Sequence, residues 1–270
     1  MEQADLRGWE RQCTQDDMPK CRAACPLQMD VRPFLERMAH GDMPGARKVL
    51  ERYLPLPGVL GRICEHPCET ACVRQGLGGP LAVGALERAC VSQCPQQTRN
   101  LPRPPKSKKV AVIGDGMAGL VVAWDLSRKA YPVDLFYVGG QPAEGLLAAF
   151  PSLAPEALDG ELESMRKSGV TLIRREPDRA LLQEVEGYDA VFVDVSLVPG
   201  LAPASRDAVD SVTLNVAGGP EHVCFGGWPS LDGTGTPVAW AAEGRRAAMT
   251  LERSMTGVSL TASRENEGAS

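Results

Sequence analysis

VAVIGDGMAGLVVAWDLSRK, residues 110–129, decides the fold. It opens on an unbroken apolar run, as in a strand buried on both faces. Gly114-x-Gly116-x-x-Gly119 follows at once, and Ala118 to Lys129 continues with helical spacing. In such a turn the first glycine allows a tight bend and the second lets backbone approach a pyrophosphate. The third lets helix and strand pack closely, and the helix N-terminus faces the phosphates. The pattern predicts a parallel α/β sheet of dinucleotide-binding type. It says less about whether a nucleotide is bound.

Working outward toward the C-terminus, apolar runs at 133–137, 170–173, 190–195 and 222–227 read as further strands. Helical periodicity covers 155–168, 178–186 and 237–255. Residues 201–220 are irregular and suit a loop or small hairpin, and the tail 257–270 is polar. Toward the N-terminus, LPRPPKSKK (101–109) is a Pro-rich linker. Its basic run, Arg103 to Lys109, reads as a solvated segment rather than a nucleic-acid patch. Before it, short helices alternate with cysteine-bearing turns. Asp30 is placed to cap a helix reaching His40, a second runs from Pro44 to Tyr53, and a third from Val83 to Ser92. The expected domains are 1–100 (helical), 101–109 (linker), 110–256 (dinucleotide fold) and 257–270 (tail).

A net charge of -5 argues against a chain built to neutralise nucleic acid. MEQADLRGWE at the N-terminus has no apolar segment, and no run is long enough to span a membrane, so a cytoplasmic location is expected. Thiols stay reduced there. Eight of the nine cysteines lie between Cys13 and Cys94, which reads as ligation rather than disulfides. Cys21-x3-Cys25-Pro, Cys64-x3-Cys68-x3-Cys72 and Cys90-x3-Cys94-Pro are the informative spacings. Three residues between thiolates bring them to one side of a turn, and a distant segment then closes the cage around soft iron. A four-thiolate zinc site and disulfides are the alternatives, although no C-x2-C pair of zinc-ribbon type is present. Cys224, alone in an apolar run, reads as a small buried residue. His66, inside the Cys64–Cys68 turn, reads as a neighbour of the site or a surface residue rather than a ligand. No Ser/His/Asp set or carboxylate pair stands out, so no catalytic residue is assigned.

Cys-x3-Cys-Pro, then DVRPFLERMAHGD (30–42), VLERYLPLPGVLGRICEHPCETACVR (49–74) and PLAVGALER (80–88), resembles the N-terminal cluster domain of the glutamate synthase small subunit. The same domain begins dihydropyrimidine dehydrogenase. The resemblance implies a helical, double-cluster, ferredoxin-like domain with one or two 4Fe–4S clusters. It implies Cys25, Cys64, Cys68 and Glu87 as ligands of one, and Cys13, Cys21 and Cys72 as ligands of the other. Glu10 stands near the place of that second cluster's usual fourth cysteine. Cys90 or Cys94 is the candidate replacement, and loss of the cluster is the alternative.

The likeness continues, more loosely, into the family's FAD-binding domain. LDGELESMRKSGVTLI, YDAVFVDV, CFGGW and PVAWAAEGRRAAMTLER carry it. It implies cofactor contacts at Gly114, Gly116, Gly119, Gly145, Gly226, Gly227, Trp228 and Pro237. Three departures matter. The second strand ends in Tyr137 where an acidic residue should hold ribose hydroxyls; Asp134, Gln141 and Glu144 are substitute acceptors. The glycine pair near the flavin ring becomes Glu144-Gly145, and the Gly-Asp of the last turn becomes Gly227-Trp228. FAD retained and FAD lost both remain open. No second strand–GxGxxG–helix follows YDAVFVDV, so the family's NADPH domain is absent and independent oxidation of a pyridine nucleotide is not expected. The expected function is an electron-transfer subunit working with a catalytic redox partner in a hetero-oligomeric complex. The alternatives are a cluster-bearing docking scaffold with a vestigial, flavin-free fold, and a small complete flavoenzyme.

Overall fold

The computed structural model describes residues 3, 18–94, 104–228, 235–262 and 264. They belong to two compact units that divide between Gln97 and Thr98.

The first unit is helical. Its helices are α1 (Lys20–Ala24), α2 (Val31–Ala39), α3 (Met43–Tyr53), α4 (Pro57–Ile63), α5 (Pro67–Thr70) and α6 (Val83–Gln93). Asp30 caps α2 by accepting the Arg32 N–H at 3.1 Å, and Asp42 caps α3 through Gly45 N–H at 2.9 Å. Prolines stand in the first turns of α3, α4 and α5, where a missing N–H costs nothing. Met29, Val31, Phe34, Ala46, Leu50 and Val83 form the apolar core, together with Cys68 and Cys90. The sequence anticipates α2, α3 and α6 but not α4 or α5. Those two are too short to show a period, and their turns are set by tertiary packing.

The second unit is a five-stranded parallel sheet of order β3-β2-β1-β4-β5. Its elements are β1 (Val110–Ile113), α7 (Met117–Arg128), β2 (Val133–Tyr137), α8 (Glu144–Ala149), α9 (Pro155–Lys167), β3 (Val170–Arg174), α10 (Arg179–Val185), β4 (Ala190–Asp194), β5 (Val223–Gly226) and α11 (Pro237–Thr256). This is Rossmann-like order, with the chain reversing direction across the sheet beside β1. β1 and β4 are buried at every residue, as their unbroken apolar runs require. One face is covered by α7 and α11, which pack on each other. The other carries Ala111, Ile113, Phe136, Val191 and Val193 under Leu181 and Val185 of α10 and the ring of Trp228. Residues 201–220 form short turns and one antiparallel bridge, Val209 to Val216. Cys224 is buried in β5 beside Thr213 and Asn215. Among the described residues, no helix is long and apolar enough to cross a membrane.

Candidate metal centre

Cys25 ends α1, where Pro26 stops the helix. The chain then bends through Gln28, whose φ is +51°. Across this bend the Gln28 N–H donates to Cys25 O at 2.8 Å, and the nearby backbone of Met29 and Leu27 offsets part of the upward push that burial gives the Cys25 thiol. The Cys64–Cys68 turn also bends at a positive φ. His66, at φ +52°, caps α5, and its N–H donates to Cys64 Sγ at 3.3 Å. Both positive-φ residues lack glycine's freedom, so each bend is mildly strained. At His66 the strain coincides with an N–H aimed at sulfur.

Glu87 comes from α6 and is only 4% exposed. It lies over Gly61 of α4; a Cβ on that glycine would stand 3.8 Å from Glu87 Cβ and 4.0 Å from its Oε2. Glu87 acts electrostatically on Cys25, Cys64 and Cys68 alike. Burial pushes the Cys64 and Cys68 thiols up to about 12, with Glu87 and Cys25 adding to both shifts. Four anion-forming donors from three segments thus act on one another, with Cys68 and Glu87 buried and Cys25 and Cys64 partly so. That crowding is costly unless a cationic core sits among them, so the donor set fits an iron–sulfur cluster. Among the described residues, no three His, Cys, Asp or Glu side chains converge closely enough to share a single metal ion. A cubane puts each ligand on a different iron, which sets its ligands apart.

His66 stands next to this group, with Nε2 3.6 Å from Glu87 Oε2. The carboxylate holds the imidazole above its usual range. The ring fits because residue 84 is glycine: a Cβ there would overlap it. Gly84 N–H in turn donates to Glu69 Oε1 at 2.8 Å. Gly84→Ala should therefore push the imidazole out, even though alanine favours a helix by about 1 kcal/mol. We expect the variant to lose iron faster than the parent during chelator challenge.

The other predicted ligands are less gathered. Cys21 and Cys72 are partly exposed, on α1 and just after α5, two helices that pack together. Cys13 lies outside the described residues. Cys90 faces the apolar core, its Sγ 3.9 Å from Met43 O and influenced by Arg47 and Cys94. Burial pushes its thiol up to about 11. Arg47 is itself buried and paired with Glu51 at 2.8 Å. Cys94 is buried too.

Residues 4–99 match the family described as dihydropyrimidine dehydrogenase domain II, 4Fe–4S cluster. The N-terminal region is a 4Fe–4S domain of that family. Curated relatives extend the likeness beyond the cluster domain. The chain is 30% identical over 197 residues to the NADPH-Fe(3+) oxidoreductase subunit beta of Geobacter sulfurreducens, covering 67% of this chain and 28% of the relative. It is 32% identical over 190 residues to the NAD-dependent dihydropyrimidine dehydrogenase subunit PreT of Escherichia coli K12, covering 67% and 46%. It is 29% identical over 169 residues to the glutamate synthase [NADPH] small chain of Mycobacterium tuberculosis, covering 61% and 35%. The chain thus spans less than half the length of each of these proteins.

Outside the cluster domain, the glycine turn is formed as its sequence suggests. Gly114 has φ +105°, and Gly119 lies so close to Gly114 O that a Cβ would overlap it. Gly226 ends β5, and the Gly227 N–H donates to Glu243 Oε2 at 2.6 Å. Pro237 opens α11 after Thr236. Gly145 is not in a turn but inside α8, with open space where a Cβ would be. Trp228 packs into the apolar cluster on one sheet face, 8% exposed. Asp134 is tied to Lys109 at 2.6 Å and to Tyr188 at 2.5 Å, near the N-terminal end of β2. Glu144 lies beyond the other end of that strand and accepts the Gly140 N–H at 2.8 Å. The sequence reading missed the acids around the turn. Asp115, Asp194 and Glu243 are all buried, and burial raises each carboxyl, Asp194 to about 6.

Proposed function

We propose that this chain is an electron-transfer subunit that relays electrons through one or two 4Fe–4S clusters to or from a redox partner in a larger complex. What supports this reading is that Glu87 and the thiols of Cys25, Cys64 and Cys68, from three segments, act on one another electrostatically, with the His66 N–H donating to Cys64 Sγ. These four are the proposed ligands of one cluster. Cys13, Cys21 and Cys72 are proposed for a second, with its fourth ligand unassigned. The names of the relatives, each a subunit or chain of a larger redox enzyme, support a hetero-oligomeric setting. The domain plan proposed is a double-cluster helical domain of residues 1–100, a linker, and a shortened flavin-type dinucleotide fold from residue 110.

A bound cluster supplies one-electron chemistry, and the chain sets its potential. The N–H of His66 withdraws charge from the Cys64 sulfur. Burial by Phe34, Leu50 and Val83 excludes water from the neighbouring core. Glu87 supplies a harder oxygen donor in place of a fourth thiolate, and His66 fixes that carboxylate from the side. The test is metal analysis of anaerobically purified protein, with its co-purifying partners identified. Iron and acid-labile sulfide in equal amounts, with a redox enzyme bound, are expected. Zinc in place of iron, or a monomer that alone reduces dyes with NADPH, would overturn the proposal.

A further inference from the structure

The glycine turn of the second unit already faces an anion. Asp194, the last residue of β4, is 1% exposed. Its carboxylate lies against Gly116 at the start of α7, where a helix leaves N–H groups free for an anion. It also accepts the Ser196 N–H at 3.1 Å and the Ser196 hydroxyl. The bare faces of two predicted cofactor-contacting glycines are turned toward it. A Cβ on Gly116 would stand 2.5 Å from Asp194 Oδ2, and one on Gly227 would overlap Oδ1. A Cβ on Gly114 would stand 2.8 Å from Asp194 Cβ. In a dinucleotide fold, the second glycine of the turn is small so that backbone can approach pyrophosphate. Here that room is used by a side chain of the protein itself.

The surroundings deepen the mismatch. Glu243 on α11 holds the Gly227 N–H and raises the Asp194 carboxyl by its charge. Asp115, inside the glycine turn, accepts the Ala143 N–H at 2.5 Å. Arg246 and Arg206 act on Glu243. A pyrophosphate brought to this turn would meet three buried carboxyl groups, and the one nearest the helix already fills the space beside Gly116.

We propose that Asp194 is a built-in anion in the pyrophosphate position of the glycine turn, and that it holds the affinity of the second unit for FAD and other dinucleotides low. The fold keeps its phosphate-binding geometry and satisfies it internally. This does not depend on the cluster assignment. It explains how the glycine motif persists while the ribose-binding acid after β2 and the Gly-Asp of the last turn are replaced.

The experiment is a titration of the full-length protein, purified anaerobically, with FAD, followed by flavin fluorescence, alongside Asp194→Asn and Asp194→Ala. The parent should bind far below stoichiometry at equimolar FAD. Asn removes the charge and keeps the shape; Ala also opens the space. Both should bind FAD at least tenfold more tightly than the parent, Ala more than Asn. Thermal melts without flavin confirm that each variant is folded, and if Ala is not, Asn decides. If neither folds, Asp194→Ser, uncharged and smaller, takes their place and is read in the same way. Stoichiometric tight FAD in the parent, or unchanged or weaker binding in the folded variants, overturns it. Iron and sulfide, measured on the same samples, should not change, which separates this outcome from any failure of the cluster reading.

Discussion

Glu87→Ala is expected to strip one iron, or the whole cluster, from the Cys25–Cys64–Cys68 site. The carboxylate is buried and shares its surroundings with those three thiols. Alanine leaves one corner without a donor at a position that is itself buried. Iron and sulfide in the purified protein should fall, and electron paramagnetic resonance should report a three-iron species or silence at that site. Glu87→Cys is the informative partner. A thiolate returns more charge to iron than a carboxylate does, so the cluster should reassemble at a lower potential, by on the order of 100 mV. Full iron content in Glu87→Ala, with an unchanged spectrum, would remove Glu87 from the ligand set.

Gly244→Ala is expected to destabilise the second unit by about 3 kcal/mol, near the upper end for overpacking. Gly244 lies on α11 where that helix crosses α7. A Cβ there would overlap Ala118 O and approach Ala118 Cα and Val121 Cβ to 3.0 Å. Two of these atoms are backbone and cannot rotate aside, so the helices must part. The midpoint of thermal unfolding should drop by roughly 10 °C. A drop under about 2 °C, on the same scale, would mean that the helices separate at little cost.

Much of the second unit is legible because its rules are local. Continuous apolar runs mark buried parallel strands, as at 110–113 and 190–194, and the glycine spacing marks the turn between β1 and α7. α8 is not legible. It is six residues long, and its Glu144-Gly145 start reads as a turn until packing of Leu146 makes it helical. Of the cluster site, the cysteine spacing and Glu87 are visible through family likeness. The His66 N–H aimed at the Cys64 sulfur is not, because it depends on His66 adopting positive φ, for which the residue type is no signal. Asp194 is the instructive miss. Inside the apolar run 190–195 it reads as one strand residue among others. Its meaning comes from Gly114, Gly116 and Gly227, which the sequence places far from it and the fold brings to its side chain.

The strand order has a kinetic side. β1 pairs with β4 through Val110 and Ala190, so the centre of the sheet joins segments about eighty residues apart, with the β2–β3 arm between them. Closing so long a loop costs entropy before any ladder bond repays it. β2 and β3 therefore have the shorter search, and β4 must find the β1 edge afterwards. Until it does, Val112, Ile113 and the apolar face of α7 stand open to other chains. Yield from a cell should accordingly depend on temperature and synthesis rate more steeply than final stability does, because the hazard lies in the time before β4 arrives.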